Sequence, residues 1–204
     1  MYGGESMAFD TFDEGISLGG VRSKTEIRTL ICYMFDKVKS PMKKDTVITA
    51  LQQKGLANYF ESSSCFDDLV NHNNLIYADE EKRLYTLSDA GKMIAKQLED
   101  TLALTVKEKA LECTLYLLEK ERIEKDNVVT IEKTENGYNV NCSVSGGDME
   151  LMKFSLYVPD IELARIVRKN FHKKPQLMYN VMIAMLTRNK NLVEDALDDL
   201  NSRL

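Results

Sequence analysis

The chain has 204 residues, of which 44% are hydrophobic and 29% charged, with a formal net charge of -5. That balance excludes a disordered chain and leaves room for one large or two small domains, each with a proper core. An acidic total also argues against a protein that coats nucleic acid indiscriminately, although an average can hide a polarised distribution.

The charge is in fact uneven. Residues 1–21 carry four acids and no base, residues 22–57 eight bases against three acids, residues 58–103 four against nine, and residues 104–204 fifteen against sixteen. The one positive zone therefore coincides with the first pair of expected helices. Residues 1–21 also hold five of the ten glycines around a Phe9-Asp10-Thr11-Phe12 tetrad, the texture of a flexible arm. The arm lacks the basic start and apolar centre of a signal peptide, and no apolar run approaches the roughly 20 residues of a bilayer-crossing helix. The expectation is a cytoplasmic protein without a membrane partner.

From Ser23 the period becomes helical. Ile27, Leu30, Ile31, Met34, Phe35 and Val38 form one stripe, Ser23 is the N-cap and Pro41 lies beyond the end. A second helix is expected from Lys43 to Gln53, burying Val47, Ile48 and Leu51 and stopping at Gly55. Lys43 offers its first turn no capping acceptor, so Asp45 serves the dipole instead. The third helix runs from Tyr59 to Asn71 with Cys65, Phe66, Leu69 and Val70 inward. Leu75 to Ala78 and Leu84 to Leu87 read as a hairpin around a charged tip, Asp79 to Arg83. Ser88 then caps a fourth helix burying Ala90, Met93, Ile94 and Leu98, with Gly91 in its first turn allowing close backbone approach.

Three helices, a hairpin and a return helix follow the order of a winged helix-turn-helix, expected over residues 22–103. The second half, 104–204, opens with Thr105-Val106-Lys107-Glu108, a capping-box pattern, before a helix burying Ala110, Leu111, Leu115 and Leu118. Three antiparallel strands follow, turning at Asn136-Gly137 and Gly146-Gly147. Pro159-Asp160 starts a helix to about Phe171, and Pro175 another carrying Leu177, Met178, Val181, Met182 and Met185. A last apolar stripe, Leu192, Val193, Ala196, Leu197 and Leu200, serves either as a dimer seam or to pack on its own sheet. The fold class expected is α+β, an N-terminal winged helix-turn-helix followed by a domain for dimerisation or sensing.

Several stretches carry a family resemblance: Phe9-Asp10-Thr11-Phe12, Gly20-Val21-Arg22-Ser23-Lys24, Leu30-Ile31-Cys32-Tyr33, Gly55-Leu56-Ala57-Asn58-Tyr59-Phe60 and Tyr85-Thr86-Leu87-Ser88-Asp89-Ala90-Gly91. Over nearly its whole length the chain resembles the bacterial family called domain of unknown function 4364. That resemblance implies a winged-helix protein related in shape to transcriptional regulators. It supplies no activity or catalytic residue to carry over.

Little in the chain spells catalysis. His72 and His172 are the only histidines and neither belongs to a triad or nucleophile elbow. Cys32, Cys65, Cys113 and Cys142 lie far apart, without zinc or redox spacing, and read as small buried hydrophobes. No glycine-rich phosphate loop follows a strand. No enzyme, cofactor or metal is expected. For DNA the candidates are Tyr59, Ser63, Ser64 and Asn71 on the third helix, Lys43 and Lys44 at the start of the second, and Lys82 and Arg83 in the hairpin tip. Asp67 and Asp68 would repel phosphates. A second basic cluster, Arg165 to Lys174, complements a helix C-terminal dipole or binds an acidic partner. The expected function is a DNA-binding transcriptional-regulator-like homodimer on double-stranded DNA; the alternative is a winged-helix protein-interaction module without DNA binding. Any small-molecule effector stays open.

Overall fold

A computed structural model of the chain describes residues 20, 21 and 23–201, with residues 196, 197 and 199–201 described by backbone alone. Apart from Gly20 and Val21, the expected arm and its Phe9-Asp10-Thr11-Phe12 tetrad lie outside the described residues, as does Arg22. The described chain is mixed α+β, with eight α-helices and two three-stranded antiparallel sheets. None of these helices is long and apolar enough to cross a membrane. Two compact units divide at Leu118/Glu119.

In the first unit, α1 (Lys24–Val38) starts on a full capping box. The Ser23 hydroxyl accepts from the Glu26 N–H at 3.1 Å, and the Ser23 N–H donates to the Glu26 carboxylate at 3.1 Å. The expected stripe is buried, with Val38 packed at its edge. Then come β1 (Met42–Lys43), α2 (Lys44–Gln53), α3 (Tyr59–Asn71), β2 (Leu75–Asp79), β3 (Leu84–Leu87) and α4 (Asp89–Leu98). β1 is two residues long, too short for periodicity to reveal, yet it pairs antiparallel with β3 and gives the sheet order β1-β3-β2. Phe66 of α3 meets Tyr85 of β3 edge-on, ring centroids 5.0 Å apart. Tyr85 in turn lies 4.6 Å from the Tyr77 ring and donates its hydroxyl to the Tyr77 oxygen at 3.0 Å. Burial, followed by that hydrogen bond, pushes the Tyr85 phenol up to about 12. The hairpin is thus anchored through aromatic rings to the core side of α3.

Two helices bury only part of the side expected, with Ile94, Ala110 and Leu118 keeping their inward places. In α4 the buried residues are Gly91 and Ala95, while Met93 and Ala90 are exposed. The small residues set the contact because α4 comes so close to the hairpin. A Cβ on Gly91 would stand 2.2 Å from the Asn74 carbonyl oxygen and 2.6 Å from Leu87 Cδ2. A 3-10 turn (Glu99–Thr101) leads into α5 (Leu104–Asp126), which begins one residue before Thr105, so the anticipated box sits inside the first turn. α5 buries Val106, Ala110, Cys113 and Thr114, leaving Leu115 exposed. Thr114 is tolerated inside because its hydroxyl donates to the Ala110 carbonyl at 2.7 Å. Since Val106, Ala110 and Cys113 belong to the first core, the units divide at Leu118 within α5, and not after residue 103.

In the second unit β4 (Val129–Lys133), β5 (Tyr138–Ser145) and β6 (Glu150–Val158) form an antiparallel meander in that order. Val140, Cys142 and Val144 alternate inward with Asn139, Asn141 and Ser143 outward, as the period of two requires. α6 (Ile161–Lys173), capped by Asp160, packs Ala164 and Phe171 against them, followed by α7 (Pro175–Thr187) and α8 (Lys190–Asn201). Buried Asn127 ties three parts together. Its side chain donates to the Ile123 carbonyl and accepts from the Ser145 N–H, and its own carbonyl lies 2.8 Å from His172 Nε2. Of the expected last stripe, Leu192 is 42% exposed and Val193 half-buried, whereas the side chains of Ala196, Leu197 and Leu200 lie outside the described residues.

Candidate nucleic-acid interface

The α3 residues that point away from the core are set by the helical period. With Ser62, Cys65, Phe66 and Leu69 buried, the opposite stripe is Phe60, Ser64, Asp67 and Asn71, all exposed, with Ser63 half-buried beside it. Tyr59 is exposed at the first position and meets Phe60 edge-on at 5.6 Å. Asn58 caps the helix by accepting from the Glu61 N–H at 2.8 Å. Among the described residues, Lys44 reaches onto this stripe, at Asp67.

The basic candidates converge through the short β1. Lys43, the N-cap position of α2, makes no side-chain capping bond and is exposed. Its register partner is Leu84, which puts it beside Arg83 in the β2–β3 turn. Arg83 is exposed at φ 52° and has no side-chain hydrogen bond or ion pair among the described residues. Lys82 folds back on Asp79: its N–H donates to one carboxylate oxygen at 3.0 Å, and its ammonium lies 3.0 Å from the other. Those bonds, the backbone one foremost, hold the Asp79 carboxyl below its usual range. Lys44 reaches α3, where its ammonium sits 2.7 Å from both oxygens of Asp67 and 5.8 Å from the Phe66 ring centre. The β1–β3 register thus puts Lys43 beside Arg83, and Lys44 reaches α3, while Lys82 stays on Asp79 in the turn.

Four further bases of this zone are held in ion pairs. Lys24 pairs with Glu61 at 3.5 Å, Arg28 with Asp68 at 3.4 Å, Lys37 with Glu99 at 3.1 Å and Lys54 with Glu112 at 2.9 Å. Arg28 and Lys37 are nine residues apart, which is half a turn around α1, and so face opposite ways. Hydrogen bonding to the opposed carboxylates raises the ammonium pKa values of Lys37 and Lys54. All three acids of α3, Glu61, Asp67 and Asp68, consequently have a cation alongside, and the face is close to electrically neutral. None of these links has a local signature, because the partners lie 23 to 62 residues apart.

In the Arg165 to Lys174 cluster, Arg165 pairs with Glu162 at 2.6 Å and His172 is taken up by the Asn127 carbonyl, while Arg168, Lys169 and Lys173 are exposed. All four cysteines are buried and free, and burial raises every thiol, Cys32 to about 12 and Cys65 and Cys142 to about 11. They act as small apolar groups. Among the described residues no three His, Cys, Asp or Glu side chains come together to hold a metal ion.

A family model described as Domain of unknown function (DUF4364) matches residues 27–186. Neither the curated proteins nor the solved structures contain a match. The matched span includes most of both units and three of the stretches on which the resemblance rests, and the chain belongs to the DUF4364 family of domains of unknown function.

Proposed function

We propose that the first unit is a winged helix-turn-helix, with α3 as recognition helix and the β2–β3 turn as wing, and that the protein is a cytoplasmic, DNA-binding, transcriptional-regulator-like homodimer. The observation that carries this reading is the Lys43–Leu84 pairing of β1 with β3. It brings the start of α2 beside the β2–β3 turn, and with the exposed stripe of α3 this supports an arrangement in which phosphate contacts flank a helix inserted in the major groove. Ser63, Ser64 and Asn71 are the side chains available to base edges. Because the face is nearly neutral, few phosphates are engaged. At about 0.9 logarithmic units of affinity per phosphate on duplex DNA, the salt slope should be roughly -2 to -3.

The test is titration of the full chain against a duplex pool at low and physiological salt. Binding with that slope is expected, lost in K43E/K44E and weakened at least tenfold in R83E, which leaves the Lys44–Asp67 pair in place. Saturable binding that ignores all three substitutions, or none at any salt, overturns the reading. Genome-wide crosslinking of the tagged protein to DNA would then name the sites.

A second reading, a protein-interaction module on the same face, is favoured by one observation: Phe60 is 81% and Tyr59 51% exposed at the start of a charge-balanced helix. Aromatic anchors on a neutral surface are typical of protein interfaces. F60A separates the two, since it should abolish capture of a protein partner yet leave the salt slope on duplex DNA unchanged.

A further inference from the structure

Helix α7 carries no charged residue from Pro175 to Thr187. Its buried residues are Pro175, Leu177 and Ala184, with Tyr179, Val181 and Ile183 half-buried and Tyr179 packed on the second core. On the other side Met178, Met182, Met185 and Leu186 follow at i, i+4, i+7 and i+8, a stripe about 100° wide centred opposite Ala184. They are 42%, 40%, 65% and 73% exposed although α8 already packs on this helix. The exposed polar residues Gln176, Asn180 and Thr187 are confined to a strip at the flank. The stripe of Met178, Met182, Met185 and Leu186 thus carries no polar side chain. A helix apolar on two opposed sides is one that is covered on both.

We propose that this face of α7 is the surface through which two copies of the chain associate. The proposal stands on α7 alone and is independent of DNA binding. A two-fold axis sets the same patch against itself, so any net charge there would repel; α7 has none. Unbranched methionines adapt to each other across such a seam. The stripe also runs along a helix about 20 Å long, so an antiparallel crossing centred on Met182 sets Met178 of each copy against Leu186 of the other. Its size fits as well. The four side chains leave on the order of 300 Å² of apolar surface in water, already the largest patch a monomer usually carries. Paired, they supply about 600 Å², much of the apolar part of a standard interface of about 1,600 Å². That suits a reversible dimer in the micromolar range.

Sedimentation of the full chain from about 1 to 200 μM should show a monomer–dimer equilibrium, and M182K/M185K should weaken it at least 30-fold. Both positions are exposed, so the thermal unfolding profile of the variant should match the parent. A second measurement does not depend on that variant. Because the four native thiols are buried, a cysteine placed on α7 is the accessible one among the described residues. M182C should oxidise to a covalent dimer at least tenfold faster than N180C on the flank. A chain that stays monomeric throughout, including one that instead floats with anionic vesicles, overturns the proposal. So does a dimer that survives M182K/M185K, or equal cross-linking of M182C and N180C.

Discussion

At the scale of single residues, what could be read ahead were positions whose reason is local. Ser23 and Glu26 are three residues apart and cap α1 reciprocally, and Gly91 faces the Asn74 carbonyl with no space for a methyl group. That carbonyl also accepts from the Ser88 N–H at 3.0 Å and its hydroxyl at 3.2 Å, so it has little freedom to retreat. Gly91→Ala should therefore destabilise the first unit by about 2–3 kcal/mol, read as a lower urea midpoint with unchanged slope. A midpoint equal to the parent's would mean the loop carrying Asn74 yields easily. Partners far along the chain were not legible. Asp67 looked like a charge that repels phosphate, and only the fold reveals Lys44 against it.

Among the elements, α1 and α3 matched their patterns because each has a broad apolar stripe and a polar remainder. β1 was missed because a two-residue strand has no period. α4 was misread because the large Met93 was assigned inward, while close packing selected Gly91 and Ala95; in α5 Ala110 is buried as assigned but Leu115 is exposed. A Leu or Met on such a helix is as easily on the outside. The β2–β3 turn has its own test, since the Lys82 N–H donates to the Asp79 carboxylate. A carboxyl whose pKa is lowered by folding contributes stability above its unfolded pKa and loses it as pH falls through the lowered value. Hydrogen exchange at the Lys82 amide should thus be slow at neutral pH and lose protection only below the ordinary Asp range. D79N should exchange several-fold faster already at pH 7, and an unaffected amide would show the turn to be held elsewhere.

For the molecule as a whole, the order of elements was legible but the place of division was not, since α5 gives its first turns to one core and continues into the next unit. The cysteines report on this division, as Cys32, Cys65 and Cys113 belong to the first core and Cys142 to the second. A thiol reagent should leave all four untouched in the native chain. In a urea series Cys142 should enter reaction at a different concentration from the other three if the units open separately, whereas one shared step would make the chain a single cooperative body. The ion pairs around α3 bear on how such a chain meets a polyanion. A phosphate taken up by Lys24, Arg28 or Lys44 must evict a carboxylate, which then collects a cation from solution, so little is gained from the counterions that leave the duplex. On the proposed reading, attraction at a distance would be slight, and selection would fall to shape and to whatever bases Ser64 and Asn71 would contact.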